Sequence, residues 1–138
     1  MDNTQNNIIS SLKISGGVEQ KGAGIYIYNS SPILEYLSII ENTGYQNGGG
    51  MTLINSSPIL FYVNINNNVV NNNGGWGASG IHIAYNSSPN LVHVNINNNM
   101  SYSGATIEII FSNATFTDVN ILGNSSEIGL AGININGY

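Results

Sequence analysis

Apolar and polar residues alternate in short runs along this chain, and the runs return. In Gly24-Ile25-Tyr26-Ile27-Tyr28, two isoleucines alternate with tyrosines, the two-residue period of a strand with one buried face. Asn29-Ser30-Ser31-Pro32 follows, a turn in which Asn and Ser bond their own backbone and Pro sets φ. Leu34 is the next inward position, then Leu37 and Ile39. The three-residue step from Leu34 to Leu37 breaks the alternation, so the chain bends near Glu35-Tyr36. The pattern predicts three short strands at three orientations, followed by a linker rich in Gly and Asn.

The pattern recurs with substitutions. Gly50-Met51-Thr52-Leu53-Ile54-Asn55-Ser56-Ser57-Pro58 leads to Leu60, Val63 and Ile65. Gly80-Ile81-His82-Ile83-Ala84-Tyr85-Asn86-Ser87-Ser88-Pro89 leads to Leu91, Val94 and Ile96, with one extra residue before the Asn. A degenerate fourth copy runs from Ile107 to Ile121. The starts at Ile25, Met51, Ile81, Ile107 and Ile133 lie 26, 30, 26 and 26 residues apart, and the linkers hold nine to fourteen residues. The chain reads as a single domain, 1–138, with a half coil at 8–14, repeats from about 24, 50, 80 and 106, and a terminal half coil at 131–136.

A unit this short cannot bury its apolar side chains alone, but stacked on its neighbours it can. Parallel stacking at about 4.8 Å predicts internal columns. Ile25, Met51, Ile81, Ile107 and Ile133 form one, and Ile27, Leu53, Ile83, Ile109 and Ile135 a second. Leu12, Leu37, Val63, Val94 and Val119 form a third, and Ile14, Ile39, Ile65, Ile96 and Ile121 a fourth. Burying each side chain is worth about 1.5–3 kcal/mol, which offsets the ordering entropy only when coils are stacked.

The repeat Gly-Ile-x-Ile-x-Asn-Ser-Ser-Pro-x-Leu-x-x-Val-x-Ile resembles that of right-handed parallel β-helix proteins, the pectate-lyase-like superfold, from about Ile8 to Asn136. The resemblance implies an all-β solenoid of about five coils with three short strands per coil. It leaves function open, because that superfold carries polysaccharide lyases and hydrolases, adhesins, tailspikes and surface proteins. Its lyases use an acidic calcium cluster with an Arg or Lys base, and its galacturonan hydrolases several Asp on adjacent coils.

Composition narrows this. The chain has two Lys, no Arg and seven acids, for a net charge of -5, so no basic surface for nucleic acid is expected. No apolar run approaches the ~18 residues of a membrane span, so no membrane insertion is expected. Cys is absent, which excludes disulfides and thiolate metal sites. With 25 Asn and 17 Gly the chain would read as disordered, were Ile, Leu and Val not so strictly spaced; Asn and Gly are therefore read as turn residues. No basic-then-apolar leader is visible after Met1.

Catalytic residues are hard to assemble. The only Asp residues are Asp2 and Asp118, and both lysines, Lys13 and Lys21, precede the first full copy. The expectation is no enzyme, no cofactor and no metal. Two columns still carry chemistry. Tyr36, Tyr62, His93 and Asp118 stack at the bend, and Tyr26, Thr52, His82, Glu108 and Asn134 on the outer face of the first strand. His93 beside Asp118 and His82 beside Glu108 have the spacing of acid–base or metal pairs; the plainer expectation is a polar ladder on a solvated face. Tyr45, Trp76 and Tyr102 in the linkers are candidates for stacking on sugar rings, or else they lid the core. Of six Asn in glycosylation patterns, those in the turn motif are explained by the turn, and Asn113 and Asn124 are the better acceptors.

The terminal half coils complement each other. They predict an assembly interface of Ile8, Leu12, Ile14, Ile133, Ile135 and Tyr138, with the chain itself as partner. The expected function is a structural, self-assembling β-solenoid, extracellular or at the cell surface, stacked head to tail into a filament. The alternative is a carbohydrate-binding or adhesive segment of a larger surface β-helix protein, with glycans as partners.

Overall fold

The computed structural model describes residues 7–71 and 77–137. It is a parallel β-solenoid of about five coils, with every described element a strand. Four sheets run along the solenoid, each of five strands. Sheet A holds Ile8–Ser10, Ile33–Glu35, Ile59–Phe61, Asn90–Val92 and Thr115–Thr117. Sheet B holds Lys13–Ser15, Ser38–Ile40, Asn64–Asn66, Asn95–Asn97 and Asn120–Leu122. Sheet C holds Val18–Lys21, Thr43–Asn47, Val69–Val70, Met100–Ser101 and Ser125–Ser126. Sheet D holds Ile25–Tyr28, Met51–Ile54, Ile81–Ala84, Ile107–Ile110 and Ile133–Asn136.

Sheet C corrects the expected three strands per coil to four. It lies in what reads as linker, because its inward column is Glu19, Gly44, Val70, Ser101 and Ser126, with a single large apolar member. Stacked backbone still needs hydrogen-bond partners, and the rung above supplies them whatever the side chains are. The expected columns otherwise hold in register. Ile25 pairs with Met51, Met51 with Ile81, Ile81 with Ile107 and Ile107 with Ile133. Leu37, Val63, Val94, Ile39, Ile65 and Ile96 are fully buried.

Four turns close each coil, and three of them use left-handed backbone at residues other than glycine. Asn29 and Asn55 (φ 51 and 49) sit at the Asn-Ser-Ser-Pro corner, and Asn67 and Asn98 (φ 56 and 54) between sheets B and C. The bend expected near Glu35-Tyr36 is the third, with Tyr36, Tyr62, His93 and Asp118 at φ 54, 52, 53 and 50. The glycine that opens the second copy has a packing reason: a Cβ on Gly50 would meet Ile65 Cγ2 at 2.5 Å and the Gly80 carbonyl oxygen at 2.7 Å.

An asparagine ladder holds the corner between sheets B and C. Asn42 N–H and Nδ2 donate to Asn68 Oδ1 (3.0 and 2.9 Å), and Asn68 donates in the same way to Asn99 (2.9 and 3.0 Å). Nδ2 of Asn68 and of Asn99 also donates to the carbonyls of Ile39 and Ile65, at 2.9 and 2.8 Å. Three fully buried amides on successive rungs thereby satisfy one another, so the ladder fixes coil register at little desolvation cost.

Candidate functional site

The outer face of sheet D is where titratable groups meet enclosed space. Its strands are four residues long, so two side chains of each point outward. One outward column is Tyr26, Thr52, His82, Glu108 and Asn134, in register. The expected solvated ladder is found only at its start, where Tyr26 is exposed. Thr52 is fully buried, and His82 and Glu108 are each 4% exposed. Part of the cover is the returning chain between sheets C and D: Thr52 Oγ1 donates to the Asn47 carbonyl at 3.1 Å. Gly48, at φ 65, passes so close that a Cβ there would meet Thr52 Oγ1 at 2.2 Å.

His82 Nδ1 lies 2.9 Å from Glu108 Oε2. The hydrogen bond engages Nδ1 and leaves Nε2 as the second polar atom of the ring. A groove of about 160 Å³ adjoins the pair, lined also by Lys21, Asn47, Ile54 and Tyr85. It shares Glu108 and Ile110 with a second depression of about 400 Å³, flanked by Asn134 and Asn136. The groove therefore follows the solenoid axis across successive rungs. Its chemistry is hydrogen bonding by imidazole, carboxylate, amide and ammonium. The nearest hydroxyl in the column, on Thr52, is committed to Asn47. Among the described residues, no three His, Cys, Asp or Glu side chains converge as metal ligands.

The second histidine pair is solvated, as expected. His93 Nδ1 and Asp118 Oδ2 are 3.4 Å apart, with side chains 38% and 71% exposed. Below it the rings form a column: Tyr36 and Tyr62 stack with centroids 5.5 Å apart, Tyr62 and His93 at 4.7 Å.

Tyr45 and Tyr102 are exposed and share an outward column. Asn71 separates them, since its N–H donates to Gly44 and that of Tyr102 to Val70. Trp76 lies outside the described residues, as does Tyr138. Leu12, Ile133 and Ile135 stand exposed on the two end faces, Ile14 is half-buried against the core, and Ile8 falls instead in the outward column of Ile33 and Ile59, leaving Ile9 as the inward residue of its strand. Asn113 is exposed. Asn124 is half-buried at the top of the asparagine ladder: its Oδ1 accepts from Asn99 and its Nδ2 donates to the Ile96 carbonyl at 2.8 Å. That nitrogen points into the coil and not toward a glycosyl donor.

The ladder is what sequence reasoning missed. Its signal was present, since Asn42, Asn68, Asn99 and Asn124 recur at nearly the repeat's own spacing. Searched against protein-family models, curated proteins and solved structures, the chain matches none of them.

Proposed function

We propose that this chain is a structural building block, an extracellular or cell-surface β-solenoid that assembles head to tail into a filament. The observation that carries the reading is the state of the two end faces. Ile9 and Leu12 on the first coil are 39% and 50% exposed, and Ile133 and Ile135 on the last strand 41% and 71%. Their counterparts on inner rungs, such as Leu37, Val63, Ile81 and Ile83, are fully buried. The faces also match in shape. Each of the five coils runs through sheets A, B, C and D in turn, so the first strand lies in sheet A and the last in sheet D, and the first strand of a second copy follows in the same order. A second copy continues every sheet: its Leu12 stands over Val119, its Ile14 over Ile121, and its Ile25 and Ile27 over Ile133 and Ile135. Such a contact repeats without closing and yields a fibre.

The coil and its repeat support membership of the pectate-lyase-like superfold, as a member without catalytic activity. The commitment of the Thr52 hydroxyl to Asn47, beside His82 and Glu108, supports the absence of catalysis. Electron microscopy and sedimentation test the reading. Purified protein is expected to form filaments with an axial repeat of roughly 24 Å, five rungs at the strand spacing. Ile135→Lys is expected to abolish them by placing a charge in the joint, while inner coils stay folded. A wild-type chain that stays monomeric at high concentration sinks the proposal.

The axial groove favours a second reading, a carbohydrate-binding or adhesive segment. A buried His82–Glu108 pair, flanking amides and the exposed Tyr45 and Tyr102 suit a polyhydroxylated ligand. Silence across a glycan array ends it.

A further inference from the structure

The two end faces differ in charge and in their hydrogen-bonding ladders as well as in shape. Both lysines of the chain, Lys13 and Lys21, lie on the first coil and are exposed. The exposed acids Asp118 and Glu127 lie on the last full coil. Neither lysine forms an ion pair within the chain among the described residues.

On the outside of sheet B each amide reaches down one rung. Asn95 Nδ2 donates to Asn64 Oδ1 and Asn120 Nδ2 to Asn95 Oδ1, both at 2.9 Å. Asn120 Oδ1 is the uppermost acceptor. The same column starts at Lys13, which pairs with Ser38, as Ser38 does with Asn64. In a head-to-tail joint the next copy's Lys13 therefore stands directly above Asn120. A lysine is donor only, and it takes the place of the missing amide. Asp118 lies two residues before Asn120, with its carboxylate 71% exposed. The next copy's Glu19 falls over Ser126 beside Glu127, with its Lys21 flanking the same carboxylate, so this side of the joint holds two carboxylates and one ammonium and the attraction rests on Lys13.

The inner ladder behaves in the opposite way. Each Asn backbone N–H is received by the amide oxygen of the rung above, ending with Asn99 on Asn124 at 2.8 Å. The residue that would stand above Asn124 is Gly17, which has no side chain to offer. No side chain fits there either, since a Cβ on Gly17 would meet the Ala23 carbonyl oxygen at 2.0 Å.

We infer that the joint between copies is registered by Lys13, seated over Asn120 and Asp118 of the copy below, and is the weakest rung of the filament because the asparagine ladder stops at Gly17. This rests on the filament reading proposed above. The filament is then polar, salt-sensitive and able to part into folded subunits.

The test is sedimentation of the full chain at about 50 mM and about 500 mM salt, with circular dichroism followed on dilution. The concentration for half-assembly is expected to rise about two- to fivefold with salt, the range for an exposed pair. Lys13→Glu should weaken assembly further, and Lys13→Glu with Asp118→Lys should restore it. Dilution should release subunits with their β signal intact. Equal weakness of the single and double variants overturns the role of Lys13, and loss of β signal on release overturns the weak joint; in both cases filaments still form and the filament reading survives. A wild-type chain that never assembles removes that reading and this inference together.

Discussion

The chain has two histidines, and both belong to the coil that starts at Ile81. Each faces a carboxylate one rung above. His82 and Glu108 lie 2.9 Å apart and are 4% exposed; His93 and Asp118 lie 3.4 Å apart and are open to water. The residue types and the rung step are nearly the same, and the surroundings are not. His82 sits on the outer face of sheet D, one rung from Thr52, over which the chain returns at Asn47 and Gly48. His93 sits at a solvated corner. In a solenoid, position around the coil decides whether such a pair is part of a site or a solvated surface contact. Buried partners have lost water and must satisfy each other, while exposed partners keep their hydration and are screened by salt.

The contrast can be broken at three levels. The largest effect is expected one residue from the buried pair, on the opposite face. Ile83 is fully buried between Leu53 and Ile109. Ile83→Asn removes that apolar contact and buries an unpaired amide, and should cost roughly 4–6 kcal/mol. Denaturant unfolding measures it, and a cost near zero would mean the strand's two faces are assigned the wrong way round. Next comes His82→Ala, which leaves Glu108 covered and without its imidazole partner. A loss of about 3 kcal/mol is expected, since an orphaned buried charge is costly. A cost below about 0.5 kcal/mol, the usual value for a surface position, would show that the covering opens freely to water.

The repeat, the columns and the bends were legible because apolar side chains placed at fixed steps leave a periodic trace. Ile25, Met51, Ile81 and Ile107 reveal their register by spacing alone. Sheet C left no such trace, because Gly44 and Ser101 face inward there. The burial of His82 was equally hidden. Alternation says which face of a strand a residue occupies, but not whether another segment returns over that face. The asparagine ladder was masked by abundance: with 25 Asn in the chain, the four that point inward look like the rest. Only the hydrogen-bond geometry separates Asn68, buried and shared between rungs, from Asn67 beside it at the corner.

The smallest effect is expected at Asp118→Asn, which sharpens the comparison from the exposed side. Asp118 holds a left-handed backbone, φ 50, and Asn adopts that conformation as readily, so the corner itself is not strained. The exchange keeps shape and hydrogen-bonding reach and removes only the charge facing His93. An exposed pair of this kind is worth about 0–1 kcal/mol, so unfolding should shift by no more than about 0.5 kcal/mol. The stack of Tyr36, Tyr62 and His93 should survive, because its rings are held by one another and by Phe61, 4.5 Å from Tyr62. Subunit stability and assembly then separate. If Lys13 of a neighbouring copy sits beside this carboxylate, Asp118→Asn should weaken filament formation about two- to fivefold while leaving the isolated subunit almost unchanged. A variant that unfolds more easily and assembles as before would reverse that assignment, making the His93–Asp118 contact part of the fold and not of the joint.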